Sequence, residues 1–195
     1  LKAKGNLICD IGAGKTQTAV ISYRGVLHAG MTRVGGDDMN SAIITYIKNT
    51  YNVLIGENTA EFLKKTAGCA HQMYDKGAFR VYGKDIVTGK ALEVTVSSYE
   101  VRRAIGECLE RIVDSVHATL ENIPPRVTSD IFDSGITLCG GASLMPGIDK
   151  LLEHSLGIRV QRASRPLDCI ANGIGKIIDS PGELAEVVSS QEMLD

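Results

Sequence analysis

The chain has 195 residues, 44% of them hydrophobic and 23% charged, which is an ordinary composition for a globular protein with a core of its own. Its formal net charge of −2 provides no overall positive field, so we expect no nucleic-acid partner. The five cysteines are odd in number and scattered without a CxxC pair, which favours reduced thiols over a disulfide framework or a zinc site.

The first informative stretch, DIGAGKT at residues 10–16, ends like a phosphate-binding P-loop. A P-loop requires a glycine five positions before Gly14, and Cys9 stands there instead. It also requires a helix after the loop, whereas residues 18–23 are rich in β-branched side chains and predict a strand. We therefore expect three consecutive strands, the first turn of which carries Gly12 and Gly14.

That hairpin turn is a candidate anion site, because glycines allow positive φ angles and let backbone amides approach a phosphate. Asp10 ends the incoming strand beside the turn. A carboxylate next to a phosphate is repulsive unless a cation intervenes, so Asp10 indicates Mg²⁺ held through water. On this stretch alone, an ordinary glycine-rich hairpin with a capping aspartate is an equally good interpretation.

Further along the chain, glycine pairs precede helical patterns. Gly35-Gly36 stand before a helix with acidic residues in its first turn, and Gly56 precedes a second, short helix. Residues 135–152 predict a strand, a break at Gly140-Gly141 and a helical pattern that opens at Ser143. A strand, two glycines and a helix N-terminus suit a phosphate or a nucleoside, although a plain turn between strand and helix has the same pattern.

The remaining elements follow from periodicity and caps. Ser97 and Glu100 form a capping box that opens one long helix, which Pro124-Pro125 end. A weaker pair of β segments precedes that helix, and a helix, a strand and a last helix follow the second glycine break. The expected ranges of these elements are 78–82, 92–96, 146–155, 158–161 and 167–178.

Four segments together resemble one family. DIGAGKTQTAVIS, RVGGDDMNSAIITYIKNTYNVLIGENTAE, GITLCGGASLMPGIDKLL and RPLDCIANGIGKII occur in the order and spacing of MreB, the bacterial actin homologues. The resemblance covers about residues 6–180 and only the second half, or second lobe, of that family. It implies an α/β fold: an actin-like ATPase (ribonuclease H-like) lobe with a mixed sheet, flanking helices and a small inserted α+β subdomain.

We expect the larger subdomain over residues 1–35 and 98–180, where it carries the second phosphate hairpin and the adenosine motif. The smaller inserted subdomain is expected over residues 36–97, and a C-terminal tail over residues 181–195. This tail crosses back to the first lobe in the family.

In such proteins ATP or ADP lies with Mg²⁺ in a cleft between two lobes. The resemblance implies a catalytic role for Asp10, which would orient the Mg²⁺ and its waters. It also implies three groups of nucleotide contacts. A turn that donates amides to the β- and γ-phosphates is formed by Gly12, Ala13, Gly14 and Lys15. A nucleoside edge, with Glu57 as a candidate for the ribose hydroxyls, is formed by Glu57, Asn58, Thr59 and Ala60, and a loop under the adenosine and α-phosphate by Gly140, Gly141, Ala142 and Ser143.

The chain departs from the usual DIGGGTT turn of the family at two positions. Ala13 adds a methyl group, which is costly if a positive φ is needed there. Lys15 replaces a threonine, and our hypothesis is that it adds a cation near the γ-phosphate and slows its release; the alternative is a solvated lysine on the hairpin tip. Asn58 stands where arginine is usual, so contacts at the nucleoside edge are expected to be looser.

The resemblance implies an ATP-binding cytoskeletal protein that forms head-to-tail filaments with itself and governs cell shape and cell-wall synthesis. Its other expected partners are the first lobe of the same protein and membrane proteins of cell-wall elongation. The expected location is the cytoplasm, with peripheral attachment to the inner membrane through the first lobe. A metabolite kinase or other ATPase of the actin superfamily and a non-enzymatic interaction module are the alternatives.

Phosphoryl transfer depends on positioning and charge stabilisation from both lobes. We therefore expect ATPase activity of the full two-lobed protein, and negligible hydrolysis with weak ATP binding by this chain alone.

Overall fold

The N-terminal segment forms the meander of three strands that the sequence predicts. A computed structural model describes residues 4–22 and 25–179. Its strands are β1 (Asn6–Ile11), β2 (Thr16–Ser22), β3 (Gly25–Thr32), β4 (Val53–Leu54), β5 (Ala78–Asp85), β6 (Ala91–Ser97), β7 (Ile136–Cys139) and β8 (Val160–Arg162). Its α-helices are α1 (Gly36–Tyr51), α2 (Glu57–Thr66), α3 (Ser98–Ala104), α4 (Gly106–Glu121), α5 (Pro125–Ser134), α6 (Ile148–Leu156) and α7 (Cys169–Asp179). Short 3-10 turns cover Gln72–Tyr74 and Gly141–Leu144.

The larger sheet has the strand order β3-β2-β1-β7-β8 and mixes the two kinds of pairing. The meander strands are antiparallel, whereas β7 runs parallel to β1 and β8 runs parallel to β7. β1 is the central strand and is buried on alternate positions, with Leu7, Cys9 and Ile11 in the core. This mixed sheet confirms the predicted α/β class, and the start of β2 at Thr16 excludes a P-loop helix after Lys15.

The smaller sheet has the order β4-β5-β6 and packs with α1 and α3. α1 buries Met39, Ile43 and Ile47, which recur on one helix face as the sequence predicts. The hydroxyl of Tyr51 at the end of α1 donates to Glu100 at 2.5 Å, which ties this helix to α3. The two sheets fall in the segments where we expect two subdomains, and the boundaries of those subdomains stay a prediction.

The helix expected to start at Ser97 is present but divided. Ser97 and Glu100 make both bonds of the predicted capping box, with backbone-to-side-chain distances of 3.2 and 2.8 Å. α3 then ends at Ala104, because Ile105 leaves helical geometry at φ −88° and ψ 0° and Gly106 follows it. An apolar stripe nevertheless continues from α3 into α4, which packs across β2 and β3. Its buried members are Val101, Ile105, Cys108, Ile112 and Val116.

Two further expectations were wrong in detail, and prolines explain both. Pro125, expected only to end a helix, occupies the first turn of α5, where its missing N–H costs nothing. The helix expected to open at Ser143 is interrupted, because Met145 precedes a proline and takes an extended ψ of 128°. Gly147 then adopts a φ of +81°, and α6 begins at Ile148.

α7 is the last element of the described residues, and none of its own residues is buried. Leu167, Ile170, Ile174 and Ile178 form a stripe at helical spacing and are 53–70% exposed. The predicted tail over residues 181–195 lies outside the described residues. None of the described helices combines the length and the apolar character needed to cross a membrane.

Candidate functional site

The hairpin turn between β1 and β2 leaves backbone donors free. The N–H of Gly12 donates to the carbonyl of Lys15 at 2.9 Å and closes the turn. The N–H groups of Ala13 and Gly14 donate to none of the described residues. Two adjacent unpaired amides can bind an anion that reaches the turn.

The glycines of this turn do not supply the positive φ angles that the sequence suggests. Gly12, Ala13 and Gly14 all keep φ outside the positive range, so the methyl group of Ala13 adds no backbone strain. A Cβ at Gly14 would meet nothing within 4 Å. The space beside Gly14 is therefore open, and the backbone angle at this position is an ordinary one.

The first turn of α1 is bonded to the tip of this hairpin. The N–H of Gly36 donates to the carbonyl of Gly12 at 3.0 Å, and that of Asp37 donates to the carbonyl of Ala13 at 2.9 Å. Gly35 is required for this approach, since a Cβ there would overlap the carbonyl of Ala13. The glycine pair thus places the start of α1 beside the candidate anion site.

The second glycine loop lies next to the hairpin. Asp10 at the end of β1 pairs with Cys139 at the end of the parallel strand β7. Gly140 then turns the chain at a φ of +82°, and its N–H donates to Pro166 at 2.9 Å. Both glycine turns therefore meet at the carboxyl ends of parallel neighbours, the edge where α/β sheets bind their ligands.

A cleft of about 640 Å³ opens between these turns and α2. That volume is typical of a site for a small organic ligand. The lining residues are Gly12, Ala13, Gly36, Asp37, Asn40, Glu57, Asn58, Glu61, Lys64, Lys65, Gly141, Ala142, Leu144, Met145, Pro146 and Leu167.

A second hollow of about 310 Å³ lies against the same hairpin turn. Asp10 and Lys15 line it together with the turn and Gly140. Partial burial raises the pKa of Asp10, and the positive charge of Lys15 opposes that rise. The carboxylate of Asp10 makes no hydrogen bond with a described residue, so it keeps acceptor capacity for a cation.

The α2 wall of the cleft carries a network of charges around Glu61. Its carboxylate contacts the ammonium groups of Lys64 at 2.5 Å and Lys65 at 2.8 Å. It also accepts a hydrogen bond from Nδ2 of Asn40 at 2.9 Å. These partners lower the pKa of Glu61 to about 2, the bonds from Lys64 and Lys65 having the largest effect. Lys64 also donates to the carbonyl of Gly36 at 2.8 Å, which links α2 to the start of α1.

Comparison with known proteins assigns the family. The family model described as MreB/Mbl protein matches residues 1–186. The chain belongs to the MreB/Mbl family. It is 39% identical over 178 residues to the cell shape-determining protein MreB of Escherichia coli strain K12, a match covering 91% of this chain and 51% of that protein. It is 36% identical over 180 residues to the cell shape-determining protein Mbl of Bacillus subtilis strain 168, covering 92% and 54%. The chain thus spans about half the length of these relatives.

Solved structures of MreB proteins confirm the predicted actin-like fold. MreB5 of Spiroplasma citri bound to ADP has a TM-score of 0.88 at 34% identity, covering 94% of this chain and 56% of that one. The same protein bound to AMPPNP has a TM-score of 0.89, with coverage of 94% and 55%. A MamK double helical filament, at a TM-score of 0.69 and 18% identity over 83% and 50% of the two chains, shares the fold.

Most residues that the MreB resemblance singles out meet at the two hollows. Those that line one or both are Asp10, Gly12, Ala13, Gly14, Lys15, Glu57, Asn58, Gly140, Gly141 and Ala142. Ala60 is instead fully buried in the core, and Thr59 lines neither hollow. Ser143 is also fully buried, and its hydroxyl donates to the carbonyl of Gly140 at 2.6 Å, so it shapes the loop. The ligand contacts expected of all these residues stay predictions.

Sequence reasoning missed part of the cleft. Glu61, Lys64 and Lys65 follow Glu57 and Asn58 at helical spacing, so extending the same face by two turns would have found them. Asp37 was assigned only to the first turn of α1, and Asn40 was not singled out. Leu167 comes from a distant segment and had no local signal.

The residues present fit a nucleotide with a divalent cation. The unpaired amides of Ala13 and Gly14 suit phosphate oxygens, and Gly140 and Gly141 line the hollows beside them. Asp10 has the oxygen donors that Mg²⁺ prefers. Such an ion, when bound, supplies positive charge that neutralises phosphates.

Proposed function

We propose that this chain binds ATP and ADP with Mg²⁺ in the cleft between the hairpin turn and α2, as the nucleotide-binding lobe of an actin-like cytoskeletal protein. The observation that carries the proposal is the convergence of both glycine turns and the start of α1 on one cleft of about 640 Å³. The ADP and AMPPNP complexes of Spiroplasma citri MreB5, a relative at 34% identity, support it.

The cleft and the smaller hollow share the hairpin turn, and together they have the chemistry for each part of the nucleotide. The phosphates bind at the amides of Ala13 and Gly14, where Lys15 adds positive charge. Asp10 holds the Mg²⁺ through water. The nucleoside lies over Gly141 and Ala142.

The full protein assembles head to tail into filaments that act in cell shape and cell-wall synthesis. Two curated relatives carry the name cell shape-determining protein, and the MamK neighbour was solved as a filament. Heterologous contacts of this kind extend without closing, as a filament requires. The first lobe and membrane proteins of cell-wall elongation are the further partners, and the protein works in the cytoplasm, attached to the inner membrane through the first lobe.

Binding is tested by titrating ADP and Mg²⁺ into the chain in a calorimeter, up to millimolar ADP. Ala13→Glu places a negative charge at the turn without backbone strain, because φ at this position is not positive. We expect this variant to lose at least about tenfold in affinity through repulsion of the phosphates. Ala91→Glu, an exposed substitution on β6, is the matched control. Failure of the parent chain to bind ADP, or equal binding by Ala13→Glu, would refute the site.

Turnover and assembly test the other parts of the proposal. The chain alone is expected to hydrolyse ATP negligibly, since half of the phosphoryl-transfer site belongs to the other lobe. Steady turnover that disappears in Asp10→Ala would contradict this expectation. Sedimentation of the full protein with ATP, followed by electron microscopy of the pellet, should show filaments, and a full protein that stays in the supernatant would contradict the cytoskeletal function.

A further inference from the structure

Cys139 is buried on a face of the larger sheet that is otherwise only partly covered. It is the last residue of β7 and is 5% exposed. Cys139 pairs with Asp10 of β1 in the parallel register, and the side chains of paired residues point to the same face. Asp10 and Thr137, which both lie on this face, are only partly buried. A further segment of the chain must therefore cover the thiol of Cys139.

The segment that covers Cys139 is the chain between β8 and α7. The N–H of Ala163 donates to the carbonyl of Leu138 at 2.9 Å, and the N–H of Gly140 donates to the carbonyl of Pro166 at 2.9 Å. These two bonds flank Cys139 on both sides. They hold residues 163–166 against the end of β7, and the start of α7 follows this segment directly.

The thiol that this segment brings toward Cys139 belongs to Cys169, the first residue of α7. Its Sγ donates to the carbonyl of Arg165 at 3.3 Å, within the covering segment. Burial raises the pKa of the Cys139 thiol to about 12, and the charge of Asp10 and the nearby thiol of Cys169 add to the rise. Cys169 is partly exposed, whereas Cys139 is buried. The pair thus combines a thiol that solvent reaches with a second thiol behind it.

Cys9 is the alternative partner for Cys139, and the sheet itself separates the two. Cys9 pairs with Leu138, the residue before Cys139, so the thiols of Cys9 and Cys139 point to opposite faces. Cys108 lies on α4, which packs across β2 and β3. The geometry therefore favours Cys169 as the partner, and Cys108 provides a buried control.

We propose that Cys139 and Cys169 form a peroxide-sensitive thiol pair that closes to a disulfide and pins the start of α7 to the end of β7. Hydrogen peroxide oxidises the accessible thiol of Cys169 to a sulfenic acid and is itself reduced to water. The sulfur of Cys139 then attacks the sulfur of Cys169, the S–S bond forms, and hydroxide leaves as water with the proton of Cys139. In total two thiols lose two electrons and two protons, and one peroxide gives two waters. This inference does not depend on the nucleotide site.

The disulfide would close a loop from residue 139 to residue 169. Leu167, within that loop, borders both the cleft and the smaller hollow. A cross-link of this kind restricts the unfolded chain, so the oxidised protein is expected to unfold at a higher urea concentration than the reduced protein. Dithiothreitol should reverse the change.

The test treats the folded chain with a small excess of hydrogen peroxide, blocks the remaining thiols under denaturing conditions and maps the tryptic peptides without reduction. Trypsin yields residues 127–150 and 163–176, because it does not cleave before Pro166, and each of these peptides carries one cysteine. We expect these two peptides to be the main linked pair. Their share of all disulfides should fall several-fold in urea, where the five cysteines compete without the fold to bring two of them together.

Serine variants assign the two roles. Cys139→Ser should still react at Cys169, but the product stays a sulfenic acid, which dimedone traps several-fold more than in the parent. Cys169→Ser should leave Cys139 unmodified. Cys108→Ser, a matched change at another buried thiol, should give the same linked pair as the parent.

Several results would overturn the inference. One is a parent chain in which Cys139 stays free after Cys169 has been oxidised, a result that decides the matter even if a serine variant fails to fold. Another is a main link between Cys139 and the peptide that carries Cys9. An equal share of the linked pair in the folded chain and in urea would show that the fold does not pair these thiols. An unchanged urea midpoint after linking would show that the bond does not pin α7.

Discussion

Gly140 lies directly against the carboxylate of Asp10: a Cβ at position 140 would overlap Oδ1 of Asp10 and the carbonyl of Ile11. The backbone of Gly140 also has a φ of +82°, which side chains of L-residues rarely adopt. Two separate constraints therefore demand glycine at the point where β7 passes the end of β1.

Gly140→Ala is expected to lower the free energy of unfolding by about 3 kcal/mol or more, since it combines backbone strain with an overlap in a packed region. Gly157→Ala is the matched control, because Gly157 has a φ of +67° but open space around its Cβ position. Strain alone should cost this control about 1 kcal/mol. Urea unfolding measures both free energies, and equal losses in the two variants would show that the close contact with Asp10 adds nothing to the cost of Gly140→Ala.

A buried pair of hydroxyls joins the sheet to α4. Oγ1 of Thr18 lies 2.6 Å from Oγ1 of Thr119, which itself donates to the carbonyl of Ser115 at 3.0 Å. Thr119→Val is expected to cost about 1–3 kcal/mol, because it leaves the hydroxyl of Thr18 buried and unpaired. The double variant with Thr18→Val should recover part of that loss. Unfolding free energies of the four proteins test this, and strictly additive losses would contradict the pairing.

Glu61 should contribute stability that depends on pH. Its pKa falls from the ordinary value of 4.5 to about 2 in the folded chain, so the contribution is fully present above about pH 5 and is lost as the pH falls toward 2. We expect Glu61→Gln to lower the unfolding free energy by about 1 kcal/mol at pH 7, a value reduced by solvent screening on the cleft wall.

The measurement is urea unfolding from pH 7 down to pH 2, where the parent and Glu61→Gln should converge. Glu93→Gln serves as the control, since Glu93 makes an exposed contact of 3.9 Å with Arg80 and should have a smaller effect. A difference between the parent and Glu61→Gln that stayed constant over the whole range would contradict the charge network.

Lys15 offers a test of charge at the hairpin tip. The structure places its side chain on an exposed turn that borders the same hollow as Asp10. We expect Lys15→Thr to weaken ATP binding several-fold at low ionic strength, with the difference shrinking at high salt as the charge is screened. Calorimetric titrations at two salt concentrations measure it, with Lys90→Thr as an exposed control on the turn between β5 and β6. Unchanged affinity would support the alternative of a solvated lysine.

The parts of the fold that the sequence predicted well are those with a strong local signal. Alternating apolar residues in β1 and the helical stripe of α1 each bury one face, and burial maintains their period. The capping box at Ser97 and Glu100 was found for the same reason, because both of its bonds lie within four residues.

The errors arose where local signals compete. Pro125 is compatible with the end of one helix and with the start of the next, and only the chain beyond it decides. The helix breaks at Ile105 without interrupting the apolar stripe, so periodicity alone could not locate the break.

The cleft likewise has one part that the sequence predicted and another that it did not. Its glycine turns could be predicted because each carries a short motif, whereas the walls contributed by Leu167 and Asn40 depend on packing between distant segments. The unpaired oxygen of Asn40 in particular is a property of its three-dimensional neighbours, above all of Glu61.

The bonds between the hairpin tip and α1 have a mechanical consequence. Gly12 and Ala13 hold the first turn of α1, and Lys64 joins that turn to α2. A displacement of the tip must either break these bonds or carry both helices along, and α1 leads directly into the smaller sheet. The hairpin tip and the two helices are therefore mechanically linked, so a movement of the tip would be transmitted to both helices.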